Sequence, residues 1–202
     1  MKRRFNVTGS CNRQKHYMVK LDERLKRIKE DYVDEGSYFA INRGRQYGKT
    51  TTLKLLLEYL KDDYFVLSMD FQMMSTANFA DEQTFVARFI GYFKNLLTEE
   101  DALMKNIDEM AIASLISLED RNDIKNLKLK LRPDEEHQYN SLWNIAADFD
   151  IDMSLSAKQI AVMLDEYEVD HQTGMNIVVI AEEIYQYTSG YPYLVSAIQF
   201  TG

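Results

Sequence analysis

A chain of 202 residues is long enough for one domain with a real hydrophobic core and a small helical appendage. Its 46% hydrophobic and 28% charged residues are ordinary for a soluble globular protein, and a net charge of −8 argues against a general nucleic-acid binder, which shows a broad basic surface. One cysteine, Cys11, makes no internal disulfide; His16, His137 and His171 give no metal-ligand spacing; no run approaches the apolar length of a membrane span.

The basic start Met1-Lys2-Arg3-Arg4 runs into Phe5-Asn6-Val7-Thr8, which supplies no apolar signal core, so a reducing cytoplasm fits best. Leu21, Leu25, Ile28 and Tyr32 then recur at helical spacing up to Gly36, predicting an amphipathic helix over about 19–34. Ser37–Asn42 is a short β-type segment. After a tight loop, Leu53, Leu56, Leu57 and Leu60 mark one face of a second helix. Tyr64–Phe71 is apolar on both faces, as a buried parallel strand is. Asp81–Leu97 reads as a helix with Phe85, Phe89 and Phe93 on one side.

Residues 98–120 form an acidic helical stretch with Leu103, Ile107 and Met110 inward. Ile124–Arg132 alternates, setting Leu127, Leu129 and Leu131 against Lys128, Lys130 and Arg132; a half-exposed strand or a basic contact patch both satisfy that pattern. Asn144–Asp150 reads as a third strand. Ser156-Ala-Lys-Gln159 is a capping box opening a helix to about Asp170. Another helix spans about Ile177–Thr188 and stops at Gly190, with Pro192 opening the last. Alternating strands and helices predict an α/β fold.

The chemistry concentrates at residues 38–60, a strand, a loop and a helix with Gly48-Lys49-Thr50 at the turn. In that order backbone N–H groups and a helix N-terminus converge on phosphate oxygens, a lysine reaches the β- and γ-phosphates, and a hydroxyl ligates Mg²⁺. The full pattern wants glycine where Arg43 stands; Gly44 follows one place later. Within this reading the N–H groups of Arg45, Gln46, Tyr47, Gly48, Lys49, Thr50 and Thr51 form the anion nest. Lys49 is the point charge, Thr50 the magnesium ligand, and Thr51 and Thr52 reach the α-phosphate. Arg43 and Arg45 add charge or pair with nearby carboxylates.

Hydrolysis needs in addition an acid at a strand end to hold Mg²⁺ and, in many such ATPases, a glutamate to activate water. Val66-Leu-Ser-Met-Asp70 is followed by Phe71 and Gln72, so no base follows the acid. Ile177-Val-Val-Ile-Ala-Glu-Glu183 has the right composition but keeps a helical beat through Ile184 and Tyr187.

Three blocks, Asn42–Leu53, Asn6–Gly9 with His16–Val19, and Tyr187-Thr-Ser-Gly-Tyr-Pro192, together resemble the bacterial AAA-like ATPase domain proteins, relatives of the AAA+ and STAND ATPases. The resemblance implies a P-loop NTPase-type three-layer α/β/α core of 5-1-4-3-2 strand order at residues 1–152, a small helical lid at 153–202, and ATP with Mg²⁺ as ligands. It places Gly190 and Pro192 near the adenine and makes Tyr17 and Met18 adenine contacts, with packing as the alternative. The family's Asp-Glu strand and sensor strand have no counterpart in residues 98–122, and the chain stops inside a lid helix. By that comparison the sheet is incomplete and hydrolysis is impaired. The expected function is ATP binding with an unknown protein partner, without nucleic acid or membrane. A non-hydrolysing interaction module is the alternative, and a small-molecule kinase using Asp70 a third reading.

Overall fold

A computed structural model of the chain describes residues 3–99 and 147–201. The chain divides into two compact units, Met1–Asp62 with Tyr139–Gly202, and Asp63–Gln138. The acidic stretch beyond residue 99 and the alternating Ile124–Arg132, with Lys128, Lys130 and Arg132, lie outside the described residues.

Among the described residues there is no strand and no sheet, so the α/β expectation and its three-layer core are overturned. Two isolated parallel bridges remain, Arg4 with His16 and Phe39 with Ala147. The physical reason is pairing. A segment becomes a strand only when neighbours take its N–H and C=O groups along a ladder. Ser37–Asn42 meets the predicted third strand at one point, Ala147 N–H to Tyr38 O at 2.6 Å. Tyr64–Asp70 belongs to the other unit and forms no ladder; Phe65 is 44% exposed, which no buried parallel strand tolerates.

In the first unit α1 (Asp22–Ile28) passes into a π-helical turn, Lys29–Val33, and buries Leu25, Ile28 and Tyr32, the stripe its spacing predicts. The chain leaves it through Gly36 at φ +63°. Helix α2 (Lys49–Leu60) buries Thr51, Thr52, Leu56 and Leu60 and leaves Leu53 in solvent, so its inward face is rotated from the leucine stripe read in the sequence. In the second unit α3 (Glu82–Glu99) stacks Phe85, Phe89 and Phe93, with Phe71 beside the first two.

Helices α4 (Ala157–His171), α5 (Ile177–Thr188) and α6 (Pro192–Thr201) complete the first unit. Both halves of the Ser156–Gln159 capping box form. The N-terminal segment is clasped onto α4: Arg3 pairs with Glu166 at 2.7 Å and Asp170 at 3.0 Å, and Phe5 stacks on Tyr167.

Between these elements runs a strap, residues 149–155. Its odd positions, Phe149, Ile151, Met153 and Leu155, are buried and its even ones are not, a period of two without a sheet. Side chains satisfy its main chain instead. Arg43 donates to Phe149 O and Ile151 O, Arg24 to Ser154 O, and Tyr32 Oη to Asp148 O while accepting from Asp150 N–H. Leu155 N–H donates to Gly190 O at 2.8 Å. At Gly190 the backbone sits at φ +73°, and an added Cβ would lie 2.1 Å from Leu155 O. Gly190→Ala is therefore expected to destabilise the protein by roughly 2–4 kcal/mol, read as a lower midpoint in thermal or urea unfolding; an unchanged midpoint would show that strap and α5–α6 turn are not joined there.

Candidate phosphate-binding loop and adjoining slot

The loop leading into α2 closes on itself. Lys49 Nζ donates to Arg43 O at 2.6 Å and Gly44 O at 2.7 Å, so its ammonium lies inside the turn that precedes its own helix. Two residues make that curvature: Gly48 at φ +75°, where glycine is at ease, and Gln46 at φ +64°. For a non-glycine residue that conformation costs about 1–2 kcal/mol. None of the main-chain N–H groups from Arg45 to Thr51 donates within the described residues; the first α2 bond is Thr52 N–H to Gly48 O. A row of free amides beside an ammonium at a helix N-terminus is a strong electrostatic invitation to an anion.

They border a hollow of about 620 Å³ walled by Gly9, Ser10, Arg45, Gln46, Gly48, Lys49, Thr50 and Thr51. No carboxylate is among those walls. Gly9 and Ser10 were not legible as site residues; they are brought here by Cys11 N–H, which donates to Thr51 Oγ1 at 3.0 Å, and by Lys54 Nζ, which donates to Ser10 Oγ at 3.0 Å. A Gly-Ser turn next to a lone cysteine carries no spacing signal that reaches across forty residues.

Gly48 and Thr51 also border a second, apolar slot of about 70 Å³. Tyr17, Met18 and Val19 line it from the N-terminal segment, Leu155 from the strap, Met163 from α4 and Pro192 from α6. It is smaller than a purine, and two flexible methionines in its wall give it room to open.

The predicted residues thus divide. Arg45, Gln46, Gly48, Lys49, Thr50 and Thr51 share the hollow. Arg43, standing where the motif wants glycine, turns its guanidinium to the strap carbonyls, and among the described residues it neither lines the hollow nor pairs with a carboxylate. Gly44 contributes its carbonyl to Lys49. Tyr47 borders the slot and packs on Tyr191 with ring centroids 4.7 Å apart, while Tyr191 Oη donates to Arg45 O at 2.6 Å. Pro192 lines the slot; Gly190 supports it from the strap side. Asp70 belongs to the other unit, where its carboxylate accepts Gln72 N–H at 2.9 Å. Glu182 and Glu183 lie on α5, as the helical beat implies. Among the described residues no cluster of three or more His, Cys, Asp or Glu could hold a metal, and no helix is long and apolar enough to cross a membrane.

Comparison with known proteins returns no match to a family model, to a curated protein or to a solved structure.

Tyr17 links the slot to the clasp on α4. Its Oη donates to Asp170 at 2.8 Å, and Arg3 lies over its ring, 4.8 Å from the centroid. Burial first, then that hydrogen bond, pushes the Tyr17 phenol up to about 12. The Tyr17 hydrogen bond, followed by Arg3, holds the Asp170 carboxyl below its usual range. A depressed carboxyl stabilises the fold above its unfolded pKa and loses that contribution as pH falls through the folded value; a raised phenol contributes below about 10 and loses it as pH climbs to about 12. Stability should therefore drop at both ends, below pH ~4 and above pH ~10, with Tyr17→Phe flattening both limbs in pH-dependent unfolding. Limbs unchanged in that variant would remove Tyr17 and Asp170 from the account.

Proposed function

We propose that the chain binds a nucleoside triphosphate, ATP with Mg²⁺, and turns it over poorly or not at all. The observation that carries this reading is the loop from Arg43 to Thr51, with its lysine drawn inward and its amides unengaged. An incoming phosphate chain offers Lys49 better partners than two neutral carbonyls, because the ammonium then gains a charge–charge attraction that a carbonyl dipole does not supply. The amides from Arg45 to Thr51 then take phosphate oxygens, and Arg45 adds charge at the hollow's wall. The less polar end of the ligand would enter the adjoining slot next to Tyr17, Met18 and Pro192 once Met18 and Met163 move to widen it. ATP rather than another triphosphate follows from the resemblance to AAA-like ATPase domain proteins in three separate blocks.

Thr50 fits the expected metal as a single protein ligand. It sits on the hollow's wall, and its hydroxyl makes no hydrogen bond within the described residues. Mg²⁺ keeps several waters and is commonly held by one or two protein groups plus phosphate oxygens. Bound there, the ion would neutralise phosphate charge. The chain's own contribution is to grip and orient; no carboxylate on the described walls stands ready to activate a water. A protein partner that responds to nucleotide, in a reducing cytoplasm, completes the proposal.

Titration with a fluorescent ATP analogue in Mg²⁺ should saturate, and Lys49→Ala should weaken it at least about tenfold, the loss of one charge-assisted contact. A parallel phosphate-release assay should stay at background. Lack of saturable binding, or equal binding by the variant, would remove the phosphate reading. Turnover in the working range of enzymes, about 1 s⁻¹ or more, would remove the claim of poor hydrolysis.

A further inference from the structure

Two polar side chains in the wall of the apolar slot carry hydrogen-bonding capacity that the described residues do not fill. Thr52 is completely buried, and its Oγ1 has no hydrogen-bond partner among the described residues. A threonine inside a helix can return its hydroxyl to the carbonyl four residues back, beside the N–H bond that carbonyl already accepts, as Thr188 does to Ile184 O; Gly48 O accepts the Thr52 N–H but no hydroxyl bond. Arg24, from α1, lines the same slot and also a polar recess with Asp152, Ser154 and Gln159. A guanidinium carries five N–H donors. Among the described residues Arg24 makes one hydrogen bond, to Ser154 O at 3.1 Å. Burial pushes its pKa down, against the pull of Asp152. A partly dry cation with most donors idle and a dry hydroxyl with no partner therefore border one apolar space.

Neither belongs to the anion hollow, whose walls include neither residue. Polar groups placed sparsely in an apolar pocket are the ones that fix a ligand's orientation and identity. We propose that Arg24 and Thr52 are the specificity-determining residues for the ring of the ligand whose phosphates the loop holds. Arg24, which can only donate, takes a hydrogen-bond acceptor on the ring, and the Thr52 hydroxyl pairs with a polar atom on its buried edge. The ligand class this selects is a nucleotide whose base turns acceptor atoms toward α1. The inference rests on the nucleotide reading above.

The test uses the full chain, with ATP and inorganic tripolyphosphate as paired probes and thermal unfolding without ligand as the third readout. Thr52→Val keeps the shape and removes the stranded hydroxyl. It should raise the unfolding midpoint of the free protein, weaken ATP about tenfold and leave tripolyphosphate within about twofold. A purely structural threonine would not move stability and affinity in opposite directions. Arg24→Met, which keeps the apolar stem, should show the same difference between probes, and Arg24→Lys should not restore ATP. Unchanged ATP affinity in Thr52→Val overturns the proposal, and so does a parallel loss of both probes. Wild-type protein that binds both probes equally overturns it while leaving the phosphate site standing; wild-type protein that binds neither overturns both. Should Arg24→Met fail to fold, the isosteric Thr52→Val decides alone.

Discussion

Arg43 joins two lengths of main chain that no sheet pairs. Its guanidinium donates to Phe149 O and Ile151 O on the strap and lies 5.9 Å from the Phe149 ring, while its own carbonyl receives Lys49. Buried carbonyls left without donors cost about 1–3 kcal/mol each, so a fold with extended segments and no ladder needs such donors from side chains. Arg24 and Tyr32 do the same work further along the strap. The geometry of the loop follows from this arrangement, because the residue that ends the loop's approach is held by its side chain to the strap before the turn begins.

That dependence explains why arginine, rather than glycine, stands at the first position of the phosphate-loop pattern. A glycine would free the turn but leave two strap carbonyls unpaired. At Gly44, next along, an added Cβ would meet only the edge of the Tyr47 ring at 3.5 Å, and the sharp part of the turn falls later, on Gln46 and Gly48. The loop is anchored at its other side as well, where Tyr191 Oη reaches Arg45 O from the start of α6. Gly190 makes that approach possible by letting the α5–α6 turn lie flat on Leu155.

Helices were legible and the sheet was misread, for one reason. Periodicity reports which side of a segment is apolar, and for α1, α4 and α5 that is enough, since a helix pairs its own main chain. Extended segments need a partner that sequence does not name. The strap shows this best: Phe149, Ile151, Met153 and Leu155 alternate as a strand's residues would, yet their main chain is held by arginine and tyrosine side chains. The phosphate-loop pattern was legible as a pattern because what defines it is local, a glycine, a lysine and two hydroxyls in a row. The slot was legible only in part: the resemblance singles out Tyr17, Met18 and Pro192, while Arg24, Leu155 and Met163 come from elements up to 139 residues apart and meet only after folding.

The junction of loop and α2 gathers groups that the free protein serves badly. Gln46 holds a left-handed backbone and Lys49 rests on neutral carbonyls; among the described residues the amides from Arg45 to Thr51 have no acceptor and the buried Thr52 hydroxyl has no partner. A left-handed backbone at a non-glycine residue costs about 1–2 kcal/mol, and a buried hydroxyl without a partner about 1–3 kcal/mol. Strain and unsatisfied polarity concentrated in one place persist when the surrounding structure over-determines them. Here the strap, through Arg43, and α6, through Tyr191, supply that restraint. On the proposal made above, a polyanion in the hollow would answer Lys49 and the amides together and a ring in the slot would answer Thr52, so one ligand that supplies both would draw on the whole junction.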